Sequence, residues 1–113
     1  MEDFKFNYDK ENDDLFIYLE GKKSAGAIEF GNFVFDFDDK ENLIAIQILE
    51  ASEVLSRVVS KLLEVTKIKE IKADIINFRN MAFIKIQIKS DSLEETISMP
   101  IPRIKEKSPA LSY

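Results

Sequence analysis

The chain has 113 residues and a formal net charge of −5, from 21 acidic and 16 basic side chains, with neither cysteine nor histidine. That length suits one domain with a single apolar core. The missing residue types exclude disulfides, a thiolate nucleophile, cysteine-ligated zinc or iron–sulfur centres, and the commonest general base.

Residues 4–8, Phe4-Lys5-Phe6-Asn7-Tyr8, alternate with period two and put three aromatics on one face of a first strand. The tetrad Asp9-Lys10-Glu11-Asn12 then predicts a hairpin turn into a second strand, Leu15 to Leu19. In such a turn the aspartate accepts backbone N–H groups and the asparagine takes the left-handed position. Gly21 to Ser24 reads as the next turn, Ala25 to Phe30 as a third strand, and Gly31-Asn32 as a tight hairpin. In the fourth strand, Phe33 to Asp38, three phenylalanines share one face while Asp36 and Asp38 share the other. The same tetrad recurs at Asp39 to Asn42, ahead of a fifth strand, Leu43 to Leu49, with Ile44, Ile46 and Ile48 aligned. One turn used twice among alternating strands predicts a five-stranded antiparallel meander.

From Glu50 to Thr66 the period changes. Ala51, Leu55, Val58, Leu62 and Val65 step by four and three, as an amphipathic helix requires, with Ser52 as N-cap and Glu53 in the first turn. Two heptads are too few for a sustained coiled-coil seam, so this helix is expected to lie across the sheet. A connection over Lys67 to Lys72 leads into three further strands, at about Ile71 to Arg79, Ala82 to Lys89 and Glu95 to Ile101, with a turn at Asn80-Met81. Pro100 and Pro102 cannot donate ladder hydrogen bonds, which puts the last strand at a sheet edge or takes it out of the sheet. Residues 103–113 read as a loosely held tail. The expected fold is α+β and a single domain over residues 1–113.

Charge divides unevenly. Residues 1–55 carry 14 acidic and 5 basic side chains, net −9, whereas residues 56–113 carry 7 and 11, net +4. Such a split arises when the halves neutralise each other, within a protomer or across a dimer, or when the acidic half faces a basic protein partner. Nucleic acid is not an expected partner, since the sequence pI is about 4.8 and no arginine-rich cluster occurs. A membrane is not expected either: no stretch approaches about 20 apolar residues. The acidic start, Met1-Glu2-Asp3-Phe4-Lys5, lacks the basic and apolar regions of a secretory signal, so a cytoplasmic location is expected. Leu15 to Leu19 and Ile71 to Phe78 carry apolar residues on both faces, which predicts a homodimer.

Few residues suggest chemistry. Asp9, Glu11, Asp13 and Glu20 fall at positions 1, 3, 5 and 12 of a would-be calcium loop, but Asp14 stands where that loop needs glycine. Asp36, Asp38, Asp39 and Glu41 are the candidate binding residues. Asp36 and Asp38, about 7 Å apart on a strand face, could hold a hard cation or act as an acid–base pair. The solvated face of a half-buried strand explains them better, because the sequence names no third ligand. No metal or cofactor is therefore expected. There is no nucleophile elbow and no phosphate-cradling glycine loop. The reading is a non-catalytic protein-binding or regulatory module; a carboxylate-based divalent-metal enzyme and a structural subunit of a larger assembly are the alternatives.

Tyr8 to Leu19 and Phe35 to Ser52 together resemble the YuzE-like family of small uncharacterised domains, over about residues 6–53. Family members usually have glycine where this chain has Asn42 and Ala45, and glutamate where it has Gln47. The resemblance implies an antiparallel sheet followed by a helix, with no established activity. Domains of this kind are often encoded beside toxin-like genes, so it also implies an antitoxin-type role. Residues 54–102 would then be an added helix and strands.

Overall fold

The computed structural model describes residues 1–58, 64–78, 81–91 and 93–102. Within them the alternating stretches become eight strands: β1 (Glu2–Asp9), β2 (Asp14–Tyr18), β3 (Gly26–Phe30), β4 (Phe33–Phe37), β5 (Leu43–Ile48), β6 (Ile68–Phe78), β7 (Met81–Ser90) and β8 (Glu94–Pro102). Helix α1 (Ala51–Val58) separates β5 from β6. Five strands, a helix and three strands match the expected series.

The meander does not hold. The order is β3-β4-β5-β2-β1-β6-β7-β8, so β2 lies beside β5 and not beside β3. Apolar content explains the exchange. In β5, Ile46 and Ile48 face Ile17 and Leu15 of β2, and all four are completely buried. β3 offers only Gly26, Ala27, a half-buried Ile28, Glu29 and an exposed Phe30, and is left at the edge. β1 then joins the two halves by changing partner midway: Glu2 to Phe4 pair with β6, and Lys5 to Asp9 pair with β2. The sheet curls into a half-barrel around one apolar cluster that also takes in Ala51, Val54 and Leu55 of α1.

The helix is shorter than its periodicity suggests. Residues 59–63 of the expected helix lie outside the described residues. Glu64 is already extended (φ −90°, ψ 123°), and Val65–Lys67 form a single 3₁₀ turn. Val65 is buried nonetheless, so its apolar character serves the core from a turn. β6 begins at Ile68, earlier than expected, because an irregularity between Ile68 and Glu70 lets Ile68 and Ile71 both point inward. β8, with Pro100 and Pro102, is the other edge of the sheet, as the two prolines require. The expected tail, residues 103–113, the expected strand end at Arg79 and Asn80 of the expected turn lie outside the described residues; Met81, also expected in that turn, opens β7.

Both tetrads sit in hairpin turns, but one register apart. In the first, Asp9 accepts the N–H groups of Glu11 and Asn12 at 3.1 and 3.2 Å and the Asn12 amide at 2.7 Å. In the second, the acceptor is Asp38, the residue before the tetrad: it takes the N–H groups of Lys40 and Asn42 at 2.9 and 2.8 Å and the Asn42 amide at 3.0 Å. The left-handed positions fall to Asp13 (φ 57°) and Glu41 (φ 67°), not to the asparagines. Each asparagine amide holds the aspartate, so a neighbour takes the bend. Glycine adopts that conformation without steric cost.

Candidate functional site

Three surfaces concern function: the start of α1, the acidic β4–β5 turn, and the outward face of the first five strands. At the start of α1, an eight-residue helix leaves its first N–H groups without intrahelical partners. Asp13, from the β1–β2 turn, supplies them. Its carbonyl accepts the Ala51 N–H at 2.8 Å, and its carboxylate accepts the Ser52 N–H at 3.0 Å and the Ser52 hydroxyl at 2.7 Å. The Tyr8 hydroxyl donates to the same carboxylate at 2.5 Å. Ser52 is thus not the N-cap: the helix begins at Ala51, and Ser52 lies inside its first turn as a donor.

This clasp is structural in character. Partial burial pushes the Asp13 carboxyl up, but the hydrogen bonds from Tyr8 and Ser52 outweigh it and hold the group below its ordinary value. The Tyr8 hydroxyl is pushed up to about 12, first by its hydrogen bond to Asp13, then by burial and by the charges of Asp13 and Asp9. A tyrosine held protonated is neither a base nor a nucleophile at neutral pH. Because its folded value lies above the ordinary value near 10, its contribution to stability is complete below about pH 10 and lost as pH rises towards 12. Tyrosinate absorbance should show this late ionisation, and Tyr8→Phe should remove it.

The acidic residues singled out from the sequence divide between two places. Asp36 is half-buried on the outward face of β4, opposite Ala45. Asp38, Asp39 and Glu41 lie in the β4–β5 turn, where the Asp38 carboxylate is occupied by that turn's own N–H groups. Its carboxyl is held low first by the Asn42 amide and backbone, with further help from Lys40 and the charge of Lys22. Among the described residues no three acidic groups converge as a metal site would need. Nearby, a cleft of about 310 Å³ opens between the β1–β6 seam and this turn, floored by Phe4, Leu43 and Ile44 and rimmed by Glu2, Asp38, Asp74 and Lys22.

The outward face of the first five strands is built from two cross-strand rows. One runs Asn7, Phe16, Gln47, Val34, Glu29; the other runs Lys5, Tyr18, Ala45, Asp36, Ala27. Phe16 is 47% exposed, while Tyr18, Val34 and Ala45 are half-buried. The second half of the sheet differs. There Lys89 faces Glu70 and Glu94 across the strands, Glu70 lies 3.7 Å from both Lys72 and Lys89, and Gln87 donates to Glu94 at 2.9 Å. At that end of the second half the charged groups offset one another. Sequence reasoning named Asp36 but missed Phe16, Tyr18 and Val34 as neighbours. The apolar character of both faces of Leu15 to Leu19 was the available signal.

Residues 5–52 match the model of a protein family of unknown function (DUF2283), which covers less than half of the chain. An uncharacterised protein of Methanocaldococcus jannaschii is 28% identical over 97 residues, covering 82% of this chain and 83% of that protein. A match of that length extends into the second half of the sheet. A Methanosarcina mazei protein named "Putative hypoxanthine phosphoribosyltransferase" is 38% identical over 48 residues, 42% of this chain and 39% of its own length. No solved structure matches. The chain is thus similar over its first half to a small domain of unknown function. No described helix is long and apolar enough to cross a membrane.

Proposed function

We propose that the chain is a non-catalytic, cytoplasmic protein-binding module of regulatory type, with residues 6–53 a YuzE-like domain. The observation that carries this reading is the outward face of β1, β2, β5, β4 and β3, where Phe16 is exposed and Tyr18, Val34 and Ala45 are half-buried nearby. Contiguous exposed apolar groups rimmed by polar ones mark interaction sites. Of the groups with shifted acidities, Tyr8, Asp9, Asp13 and Asp38 are engaged in helix and turn construction and Lys5 is paired with Glu20, which leaves little for catalysis. An antitoxin-type role, with the acidic half covering a basic protein, is the form of the reading that suits the −9 charge of residues 1–55. The name of the Methanosarcina mazei relative concerns a protein of which the match covers 39%, and its activity is not carried to this chain.

The test is purification of the full chain from its native cells under mild cross-linking. A stoichiometric protein partner supports the reading; recovery of the chain alone, with catalytic turnover of a metabolite, overturns it.

Self-association is the second reading. Ile76 (46% exposed) faces Phe83 across the strands, which faces Pro100, and Met81 (39% exposed) lies at the same end. This uncharged patch on β6–β8 could meet a second copy without like-charge repulsion. Sedimentation of the parent and of Ile76→Lys decides it: a dimer in the parent and a monomer in the variant support this interface.

A further inference from the structure

We propose that the outward face of the first five strands binds a basic protein surface on which arginine or lysine side chains surround an apolar one. This rests on the reading of the chain as a protein-binding module and specifies its site and partner chemistry.

The strand register fixes the geometry. Five strands at about 4.8 Å spacing and two rows about 7 Å apart make a platform about 19 Å long. Phe16 and Val34 both neighbour Gln47 in the first row; Tyr18 and Asp36 both neighbour Ala45 in the second. The centre therefore sets Phe16, Tyr18, Val34 and Ala45 around Gln47.

The rim is acidic. Asp36 stands within the second row, Glu29 ends the first, and Asp14 lies two residues before Phe16 on the same face of β2. Lys5, the cation in these rows, is paired with Glu20 at 2.6 Å. The platform thus presents carboxylates whose charge its own lysine does not offset.

That pattern selects among occupants. A second copy laid face to face would set carboxylates against carboxylates, and nucleic acid or an anionic lipid surface would be repelled. A basic protein surface meets both demands: its apolar side chain covers Phe16, and its cations reach Asp14, Glu29 and Asp36. Arginine fits best, because a guanidinium stacks on the rings of Phe16 or Tyr18 while pairing with a carboxylate.

The test uses the full chain and a 12-residue peptide alternating arginine and leucine, followed by backbone amide shifts and titration. Shifts should centre on Asn7, Phe16, Tyr18, Val34, Ala45 and Gln47, and binding should weaken with salt. The Phe16→Lys/Asp36→Lys variant should lose at least about tenfold in affinity, a change expected of a central aromatic and its charge partner. Asp39→Lys, in the β4–β5 turn, should change it less than about threefold. Unchanged melting temperatures confirm that the variants fold.

Equal losses in both variants, shifts centred on the turn or the cleft, equal binding of a glutamate–leucine peptide, or a dimer abolished by Phe16→Lys would each overturn the proposal. Should a partner purified from native cells bind the double variant as tightly as the parent, the protein-binding reading stands and this face is not its site. If no protein partner is recovered and the peptide does not bind, both fall.

Discussion

Phe35→Ala should destabilise the protein by about 3–5 kcal/mol, the range for removing a buried phenylalanine. Phe35 is completely shielded from solvent, stacks on Phe33 at 5.9 Å between ring centres, and lies between Ile28 and Ile46 in the strand register. A ring in that position cannot be replaced by movement of one neighbour, because strands hold it on both sides. Domains of this size are stable by about 5–15 kcal/mol, so the loss approaches the whole margin. Urea denaturation at 25 °C is the measurement. Phe35→Leu keeps most of the volume and should cost less than about 2 kcal/mol. A loss below about 1 kcal/mol for the alanine variant would mean that β4 is not a central strand.

The second large effect belongs to Asp13. Asp13→Ala removes the cap of α1, leaves the Tyr8 hydroxyl without its acceptor and puts alanine at φ 57°. Cap loss costs about 0.5–2 kcal/mol and left-handed alanine about 1 kcal/mol more, giving about 1.5–3 kcal/mol and a melting temperature lower by about 10 °C. The order of substitutions is diagnostic. Asparagine keeps an acceptor and tolerates the backbone, so Asp13→Asn should cost least; Asp13→Gly keeps only the backbone and should fall between. The Asp13 carboxyl is held below its ordinary value, so its charge-dependent contribution is present above about pH 4 and is lost as pH falls through the lowered folded value. The gap between parent and Asp13→Asn should therefore close in acid. Equal stability of all three variants at pH 7 would remove the clasp as a structural element.

Asp13 also shows what was legible in the chain and what was not. Its place in a turn followed from the tetrad beside it; its bond to Ser52, 39 residues away, did not. Strand existence could be read throughout, because period-two alternation is local. Strand order could not, since the seat of β5 beside β2 depends on which of the later strands buries most apolar surface. The offset between the two tetrads was hidden because Asp38 and Asp39 are adjacent, and either could have closed the second turn. Val65 misled the helix boundary: its spacing fits a helix, yet a 3₁₀ turn buries it as well. Of the candidate binding residues, Asp36 acquires meaning only when β2 and β5 bring Tyr18 and Ala45 alongside. Tyr8 and Ser52, near the two ends of the segment that matches the family of unknown function, meet through Asp13, so that match spans a physical contact.

The change of partner within β1 has a consequence for cooperativity. The described ladder between the two halves of the sheet consists of three residue pairs, Glu2 with Ala73, Asp3 with Lys72 and Phe4 with Ile71. Amide protons on either side of so narrow a seam should fall into two exchange-protection classes, each opening with its own free energy. The halves would then behave as separable folding units stitched at Phe4, and trimming the first residues of β1 would uncouple them before it unfolded either one.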